Sequence, residues 1–575
     1  MKATKPKAEA AATPSGFGWK WIAGFLGAFI VLLEIYWPAV SGPFLFDDEY
    51  LPFFDPGFLE NGLSRLSVLQ RPMLMVTFWL NLKQSGLEPF SYHVVNIVLH
   101  FVNACLVFAV MRRALDLITV NDPERNLLAA FSALLFLVHP VHTESVAYVA
   151  GRSEGLALVF FLASYYVFLR NREQGSREQG IGWPASIAVI ALFGAAFLSK
   201  EHAVVLPVLL IWTDLCFREC SWMEAVKRNW RLYAPLVLMG TLGGVFVYRV
   251  LAAADTAGFR VMPWQHYFYT QWRALWVYLR LYAFPLGLNA DYDYAISRSP
   301  VDHLAIVGLI ALAALFAATF SFRKKLPLAF YGLIVFLILI APTSSVVPIK
   351  DAVAERRLYL PFIGLLMVTC DLLRQWKPSR SALMPAMGTV LLVFAYLTYA
   401  RSAVWSNPQL LWEDTAAKSP HNARAHFQLA MVHYTNERCA ESLKHFANAE
   451  KTGYKQHSLY LDWGLAHLCL NQFDEALAKL RRASVIENTG HVRSQIGMVL
   501  ARQQKYAEAL VELNEAVKLD SGYDMTYAYR GRIFFIQGEM DKAEADFRQA
   551  LTLKPDNEVA RQGLAEIAQR RGPAR

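Results

Sequence analysis

Residues 19–50 read WKWIAGFLGAFIVLLEIYWPAVSGPFLFDDEY, and they set the architecture. Residues 19–40 form one apolar run, enough for a helix to cross about 30 Å of hydrocarbon. Lys2, Lys5, Lys7 and Lys20 precede or open the run, which is too long for the core of a cleaved signal peptide and reads as a retained anchor. Just beyond it, Asp47, Asp48 and Glu49 emerge between aromatic residues. Carboxylates at a membrane surface are expensive to desolvate, so three together point to a use for them. A partly desolvated carboxylate takes a proton from an attacking hydroxyl, or binds a cation that neutralises a leaving phosphate. The bland reading is a solvated cluster at a helix end.

Working outward, the same apolar character recurs. The chain has 575 residues, 55% of them hydrophobic, with 37 Phe, 25 Tyr and 15 Trp, more than an average soluble protein carries. Eleven spans are predicted, near 19–40, 92–112, 126–140, 155–170, 183–199, 202–217, 232–252, 303–322, 327–342, 357–375 and 383–401. Basic clusters at the amino terminus, Arg112–Arg113, 170–177, 218–231, 323–325 and 374–380 then fall on one side, the cytoplasmic side by charge bias. The aromatic segment 267–285 would break that alternation if it crossed, so it is expected to be re-entrant or interfacial. The stretch RPMLMVTFWLN, Arg71 to Asn81, is too short to span and is expected along the interface. An odd span count places residues 402–575 outside. The net charge of +9 is dispersed between apolar runs, as insertion topology requires, and does not form a nucleic-acid surface.

After a boundary near Trp405 the pattern becomes charged and Ala-rich. Ala430, Gly464, Gly497 and Gly531 recur at 34, 33 and 34 residues, and Ala449, Ala483, Ala516 and Ala550 recur at the same intervals. That is the period of a tetratricopeptide repeat (TPR), a helix pair whose small residues let the two helices approach closely. The expected organisation is a cytoplasmic tail 1–18, a membrane domain 19–401 with an outer loop 41–91, a connecting half repeat 402–422, and a TPR domain 423–575. Repeats are predicted to start near 423, 457, 490 and 524, with a carboxy-terminal capping helix. The fold class is all-α: a polytopic membrane bundle followed by an α-solenoid. Six Cys show no metal-ligand spacing; only Cys439 and Cys469 stand where pairing is open, and the sequence does not decide it.

Unusual polar residues gather at the outer ends of the predicted spans. HPVHTESVAYVAGRSEG packs His139, His142, Glu144, Arg152 and Glu154 into a short stretch. His139, His142 and Glu144 form a possible metal trio, but no third His follows and Pro140 disturbs the helix, so hydrogen-bonding or substrate-orienting roles are favoured. SKEH and AERRLYLP place Lys200, Arg356 and Arg357 on the side that disfavours cations, where a lipid phosphate would be a good partner. The alternative is internal pairing, Lys200 with Glu201 or Arg356 with Glu355. LNADYDY adds Asp291 and Asp293, which a solvated turn explains equally well.

Taken in order, FDDEY, RPMLMVTFWLN, YHVVNIVLHFVNACLVF, HPVHTESVAYVAGRSE, LSKEHAVVLP, PLGLNADYDY and ERRLYLP, followed by the repeats, resemble the transmembrane and TPR-containing (TMTC-like) O-mannosyltransferase family and its bacterial relatives. The resemblance covers essentially the whole chain. It implies a GT-C glycosyltransferase fold, a polyprenyl-phosphate-linked sugar as donor, and an acidic pair in the first outer loop, matched here by Asp47 and Asp48. By this resemblance one of the two, Asp47 before Asp48, would deprotonate or orient the acceptor hydroxyl, with Glu49 in support. Lys200, Arg356 and Arg357 would hold the donor phosphate. His139, His142, Glu144, Arg152, Glu154, Asp291 and Asp293 would line the substrate pocket. The resemblance fixes no cofactor, and participation of a divalent cation stays open. The acceptor would be a protein or a glycan, with membrane lipids around the spans and a protein partner possible on the concave TPR face. Eukaryotic members carry more than four repeats, and no lumenal retention signal stands out, so the expected setting is a bacterial inner membrane with a periplasmic tail. Two competing classes are a non-catalytic scaffold, for which eleven spans are excessive, and a transporter, which would place polar groups at span midpoints.

Overall fold

The structure, a computed structural model, describes residues 19–46, 48, 51–55, 57–61, 71–174, 180–217, 221–253, 262–376 and 379–571. The described residues are helical throughout their regular structure, and the chain divides into two compact units after Asn407.

The first unit contains α1 (Trp19–Val40), α2 (Gly57–Asn61), α3 (Pro72–Ser85), α4 (Pro89–Asp116), α5 (Asp122–Val138), α6 (Thr143–Ala147), α7 (Arg152–Gln174) and α8 (Trp183–Ser199). It continues through α9 (Leu206–Phe217), α10 (Trp222–Arg228), α11 (Trp230–Ala253), α12 (Trp264–Ala283), α13 (Ala305–Ser321), α14 (Pro327–Ile340), α15 (Phe362–Trp376) and α16 (Arg380–Val404). Local chemistry sets several boundaries. Asn121 caps α5 by accepting from the Glu124 amide at 3.2 Å, and Ser221 and Glu224 form a reciprocal capping box at α10. Pro140 ends α5, so that α5 and the segment after it are bent by 49°.

Five helical segments among the described residues are long and apolar enough to cross a membrane, six if that bent pair is one span. The predicted eleven are therefore not supported. Trp183–Ser199 and Pro327–Ile340 are apolar but short, and α9 and α15, of 12 and 15 residues, are shorter than a span needs. Of segment 267–285, residues 267–283 belong to α12, a continuous helix of 20 residues with Tyr267, Gln271, Ala274, Tyr278 and Leu281 buried, which is not among the segments able to span.

Close packing inside this unit depends on small residues, as is usual where lipid removes the hydrophobic incentive to associate. A Cβ at Gly332 of α14 would lie 2.5 Å from the carbonyl oxygen of Gly364 in α15. Buried polar side chains tie other helices together. Asn103 donates from α4 to the Gly155 carbonyl at 2.9 Å, and Tyr165 and Thr213 each bond the Tyr331 hydroxyl at 2.6 Å. In contrast, only 6% of the α13 segment and 11% of α16 is buried, leaving apolar faces for lipid.

The second unit opens with α17 (Pro408–Lys418). Four helix pairs follow: α18 (Ala423–Thr435) with α19 (Cys439–Lys451), α20 (His457–Cys469) with α21 (Phe473–Ile486), α22 (Gly490–Arg502) with α23 (Tyr506–Leu519), and α24 (Asp524–Ile536) with α25 (Met540–Leu553). Then comes α26 (Glu558–Arg571). The two small-residue series have the role their period predicts. A Cβ at Gly464 or Gly497 would meet Leu480 or Leu513 of the facing helix at 2.8 and 2.6 Å, and Ala449, Ala483, Ala516 and Ala550 are fully buried. The turn within each pair needs one left-handed residue, and the period places it at Glu437, Asn471, Gln504 and Gly538, each with positive φ. A disulfide links Cys439, at the start of α19, to Cys469, at the end of α20.

Candidate active site

Loop residues at one end of the first-unit helices hold the polar groups. The first outer loop is pinned by Asp48. Its Oδ1 accepts the Ala150 amide at 2.7 Å and its Oδ2 accepts the Leu45 amide at 3.1 Å. Asp48 is 1% exposed. Each oxygen therefore meets a backbone donor, which holds Leu45 and Asp48 against the turn that precedes α7. Asp47 and Glu49 lie outside the described residues.

Next to this anchor is a group of alternating charges. Glu154, in the first turn of α7, pairs with Lys200 and lies 3.6 Å from Nε2 of His202. Lys200 also donates to Ser153 Oγ at 3.3 Å. Arg71, which caps α3 with left-handed backbone, forms a two-pronged bridge to Glu201 at 2.9 and 3.0 Å. Glu144 of α6 accepts the backbone amide of Arg356 at 2.8 Å and also pairs with its guanidinium, whose other nitrogen lies 3.4 Å from Asp351. Arg71, Lys200 and Arg356 each feel the other members' charges, so five segments distant in the chain build one electrostatic unit.

Burial shifts these groups in ways their partners oppose. It lowers the Lys200 ammonium, with Glu154 acting against it. It would raise the Glu201 carboxyl, but Arg71 outweighs it and the net shift is downward. It pushes His202 down to about 4, a neutral imidazole at neutral pH. Glu355 is pushed up to about 7 by burial, Arg401 opposing and Glu144 adding to the rise. Its Oε1 accepts from the Tyr292 hydroxyl at 2.8 Å and from the Asn289 amide, while buried Oε2 has no hydrogen-bond partner.

Internal pairing of the cations therefore does occur, but not with the sequence neighbours expected. Lys200 takes Glu154 instead of Glu201, and Arg356 takes Glu144 instead of Glu355. Arg357 does not share the cluster's carboxylates. Its guanidinium donates to the Tyr267 hydroxyl and the Ala352 carbonyl, both at 3.1 Å, and to the Asp351 carbonyl at 2.5 Å. Arg152 is likewise enclosed, donating to Asn96 Oδ1 and the Tyr92 carbonyl at 3.0 Å while lying over Phe78. It fastens α7 to α3 and α4.

The histidines face aromatic rings. His139 Nε2 donates to the Tyr282 carbonyl at 3.0 Å and its Nδ1 accepts the Val141 amide at 3.3 Å, which fixes its tautomer. His142 is fully buried among His100, Phe136, Tyr359 and Phe362, and neither ring nitrogen has a hydrogen-bond partner. Glu144 is turned to Arg356, so the three do not form a trio. Among the described residues no three His, Cys, Asp or Glu side chains converge as metal ligands would. Asp291 is buried in the loop that Glu355 holds, whereas Asp293 is exposed.

Arg71, Glu201, His202, Asp351, Tyr292 and Glu355 were not picked from sequence as site residues. Arg71, Glu201, His202 and Glu355 sit inside RPMLMV, SKEH and AERRLYLP, and each is a charged or ionisable side chain beside an apolar run, which is the signal that would have found them.

The tetratricopeptide repeat family matches residues 494–558. The chain is 25% identical over 430 residues to the protein O-mannosyl-transferase F38B6.6 of Caenorhabditis elegans, covering 72% of this chain and 58% of that protein. It is 26% identical over 524 residues to protein O-mannosyl-transferase TMTC1 of Homo sapiens, covering 81% and 57%. It is 24% identical over 623 residues to TMTC3 of Mus musculus, covering 92% and 63%. Homologues over most of the chain are thus TMTC-family protein O-mannosyl-transferases, and the chain spans about three fifths of their length.

Proposed function

We propose that the chain is a GT-C-type membrane glycosyltransferase that moves a sugar, mannose in keeping with its relatives' names, from a polyprenyl-phosphate donor to a hydroxyl of a protein or glycan. The observation that carries this reading is the cluster of Arg71, Lys200 and Arg356 beside the loop that Asp48 anchors. Cations held at the ends of apolar helices are placed for a phosphate whose lipid tail lies in the bilayer.

In the proposed reaction a carboxylate takes the acceptor hydroxyl proton, the hydroxyl oxygen bonds to the anomeric carbon, and the bond from that carbon to the phosphate oxygen breaks. The electron pair leaves on the polyprenyl phosphate, whose growing charge the cations stabilise. Asp47 is the proposed base. Asp48, held by two backbone amides, positions the turn that presents it, and Glu49 supports. Lys200 and Arg356, joined by Arg71, exchange part of their contact with Glu154, Glu144 and Glu201 for donor phosphate. Arg357 shapes the wall through Tyr267. His139, His142, Arg152 and Asp291 hold the surrounding loops, and Asp293 offers an exposed polar edge.

The disulfide in the repeats supports an oxidising compartment for the TPR domain, since such bonds persist outside the cytosol. With the basic clusters at the opposite helix ends, it supports an extracytoplasmic active site and repeat tail, as in a bacterial inner membrane with a periplasmic solenoid. The solenoid would then receive acceptor or partner proteins.

The test is transfer from polyprenyl-phosphate mannose to acceptor by the full chain in nanodiscs, comparing wild type with Asp47→Asn. Loss of transfer with unchanged melting supports the assignment. Full transfer by Asp47→Asn removes Asp47 from the mechanism, and absence of transfer by wild type from any polyprenyl-phosphate sugar favours a scaffold.

A further inference from the structure

In the first unit, α1, α4 and α5 leave a groove of about 140 Å³ between them. Gly24, Ala28, Ala104, Ala130 and Ala133 open it by the smallness of their side chains, and Trp21, Phe25, Phe101 and Phe108 frame it. Among the described residues no charged side chain lines it. It follows α1 from Trp21 to Ala28, on the order of 10 Å along the helix axis. A Cβ placed on Gly24 would meet no atom within 4 Å, so the space in front of it is open.

The groove has a polar end. Phe108 packs on Trp21 at 5.4 Å and on Phe25 at 6.1 Å, and the guanidinium of Arg112, one turn along α4, lies 5.8 Å from the Phe108 ring. The Arg112 Nε is buried and has no hydrogen-bond partner in the protein. Arg113 follows directly in sequence. An apolar slot framed by Trp21 and Phe108, with the positive charge of Arg112 one turn beyond Phe108, is complementary to one kind of molecule. It fits an acyl chain joined to an anionic headgroup, with the chain between helices and the phosphate at the membrane surface.

We propose that this groove is a binding site for an anionic phospholipid of the leaflet on the Arg112 side, with one acyl chain along Gly24 and Ala28 and its phosphate on Arg112. The groove shares no lining residue with the charged cluster of Lys200 and Arg356, and it does not depend on the transferase reading. Because α1 and α4 bracket the loop that Asp48 anchors, occupancy of the groove would also brace that loop from below.

The experiment uses the full chain in nanodiscs containing phosphatidylglycerol or phosphatidylcholine with a photoactivatable diazirine in one acyl chain, read by peptide mass spectrometry. Phosphatidylglycerol is expected to label residues 21–28, 101–108 or 130–137 at least threefold more than phosphatidylcholine. Gly24→Leu, which fills the slot without a clash, is expected to abolish that labelling. Arg112→Gln is expected to retain labelling but lose the preference between headgroups. If Gly24→Leu fails to fold, the Arg112→Gln arm decides alone. Equal labelling by both lipids in wild type, or labelling unchanged in Gly24→Leu, overturns the proposal. Displacement of the phospholipid by an equal mole fraction of polyprenyl phosphate also overturns it, reassigning the groove to the donor's chain.

Discussion

Lys200→Met separates two roles that the structure superimposes on one side chain. In the folded protein the Lys200 ammonium pairs with Glu154, whose side chain is 4% exposed, while that of Lys200 is 15% exposed. Removing the ammonium leaves a buried carboxylate with the His202 ring at 3.6 Å and the Arg356 charge as a weaker influence. Breaking a buried pair from one side costs about 3–5 kcal/mol, because the remaining charge is neither hydrated nor paired. Lys200→Met and Glu154→Gln should therefore each lower the melting temperature of the detergent-solubilised chain. The double variant should melt above Lys200→Met, since it leaves no orphaned ion, with a coupling of about 2 kcal/mol in the cycle. Transfer should behave differently. If Lys200 stabilises the leaving phosphate, the double variant should still be slower than wild type by roughly 10²-fold, the usual effect of deleting one such electrostatic group. Thermal melts and initial rates on the same four preparations supply both readouts. A double variant that recovers stability and also transfers sugar at the wild-type rate would refute the phosphate role and leave Lys200 as a structural counter-ion of Glu154.

Other perturbations address separate parts of the molecule. Glu355 is held at about 7, above the carboxylate value of the unfolded chain, so its stabilising contribution is complete at low pH and disappears as pH rises toward and through 7. Glu355→Gln should consequently melt higher relative to wild type at pH 8 than at pH 5, and an unchanged difference would count against a buried, raised carboxyl. Reducing the Cys439–Cys469 bond, which closes a separation of 30 residues, should destabilise the repeats by up to about 3.6 kcal/mol on the chain-entropy estimate; alkylation of both thiols in unreduced membranes would show that the bond does not form. Gly497→Val drives a branched side chain against Leu513, where a Cβ already sits at 2.6 Å, and should cost about 1–3 kcal/mol. Gln504→Gly, at φ of 63°, should instead be neutral or stabilising by up to about 1 kcal/mol, as measured by urea melts followed through the repeat helices.

Several features of this protein follow from periodicity alone. The 34-residue spacing of Ala430, Gly464, Gly497 and Gly531 reports where two helices must touch, because a larger side chain at any of them would collide with the facing helix. The apolar run at 19–40 reports a membrane helix for an equally local reason, since its backbone bonds close within the segment. The polar motifs also stand out along the chain, because ionisable residues flanking apolar runs are costly wherever the chain goes. Partner choice is different. Glu201 follows Lys200 directly but reaches Arg71, 130 positions away, while Lys200 reaches Glu154. Successive side chains on a tight turn point in divergent directions, and only the packing of α3, α7 and α8 decides what each one meets. The same holds for Asp48, whose carboxylate is satisfied by the Ala150 amide, for His142, enclosed by rings from three other segments, and for the number of helices that can span, which depends on where each helix breaks. Composition and spacing determine which residues must be near a membrane or near another helix. Which charge faces which is decided by tertiary packing, because electrostatic pairing acts over a few ångströms of space and carries no trace of distance along the chain.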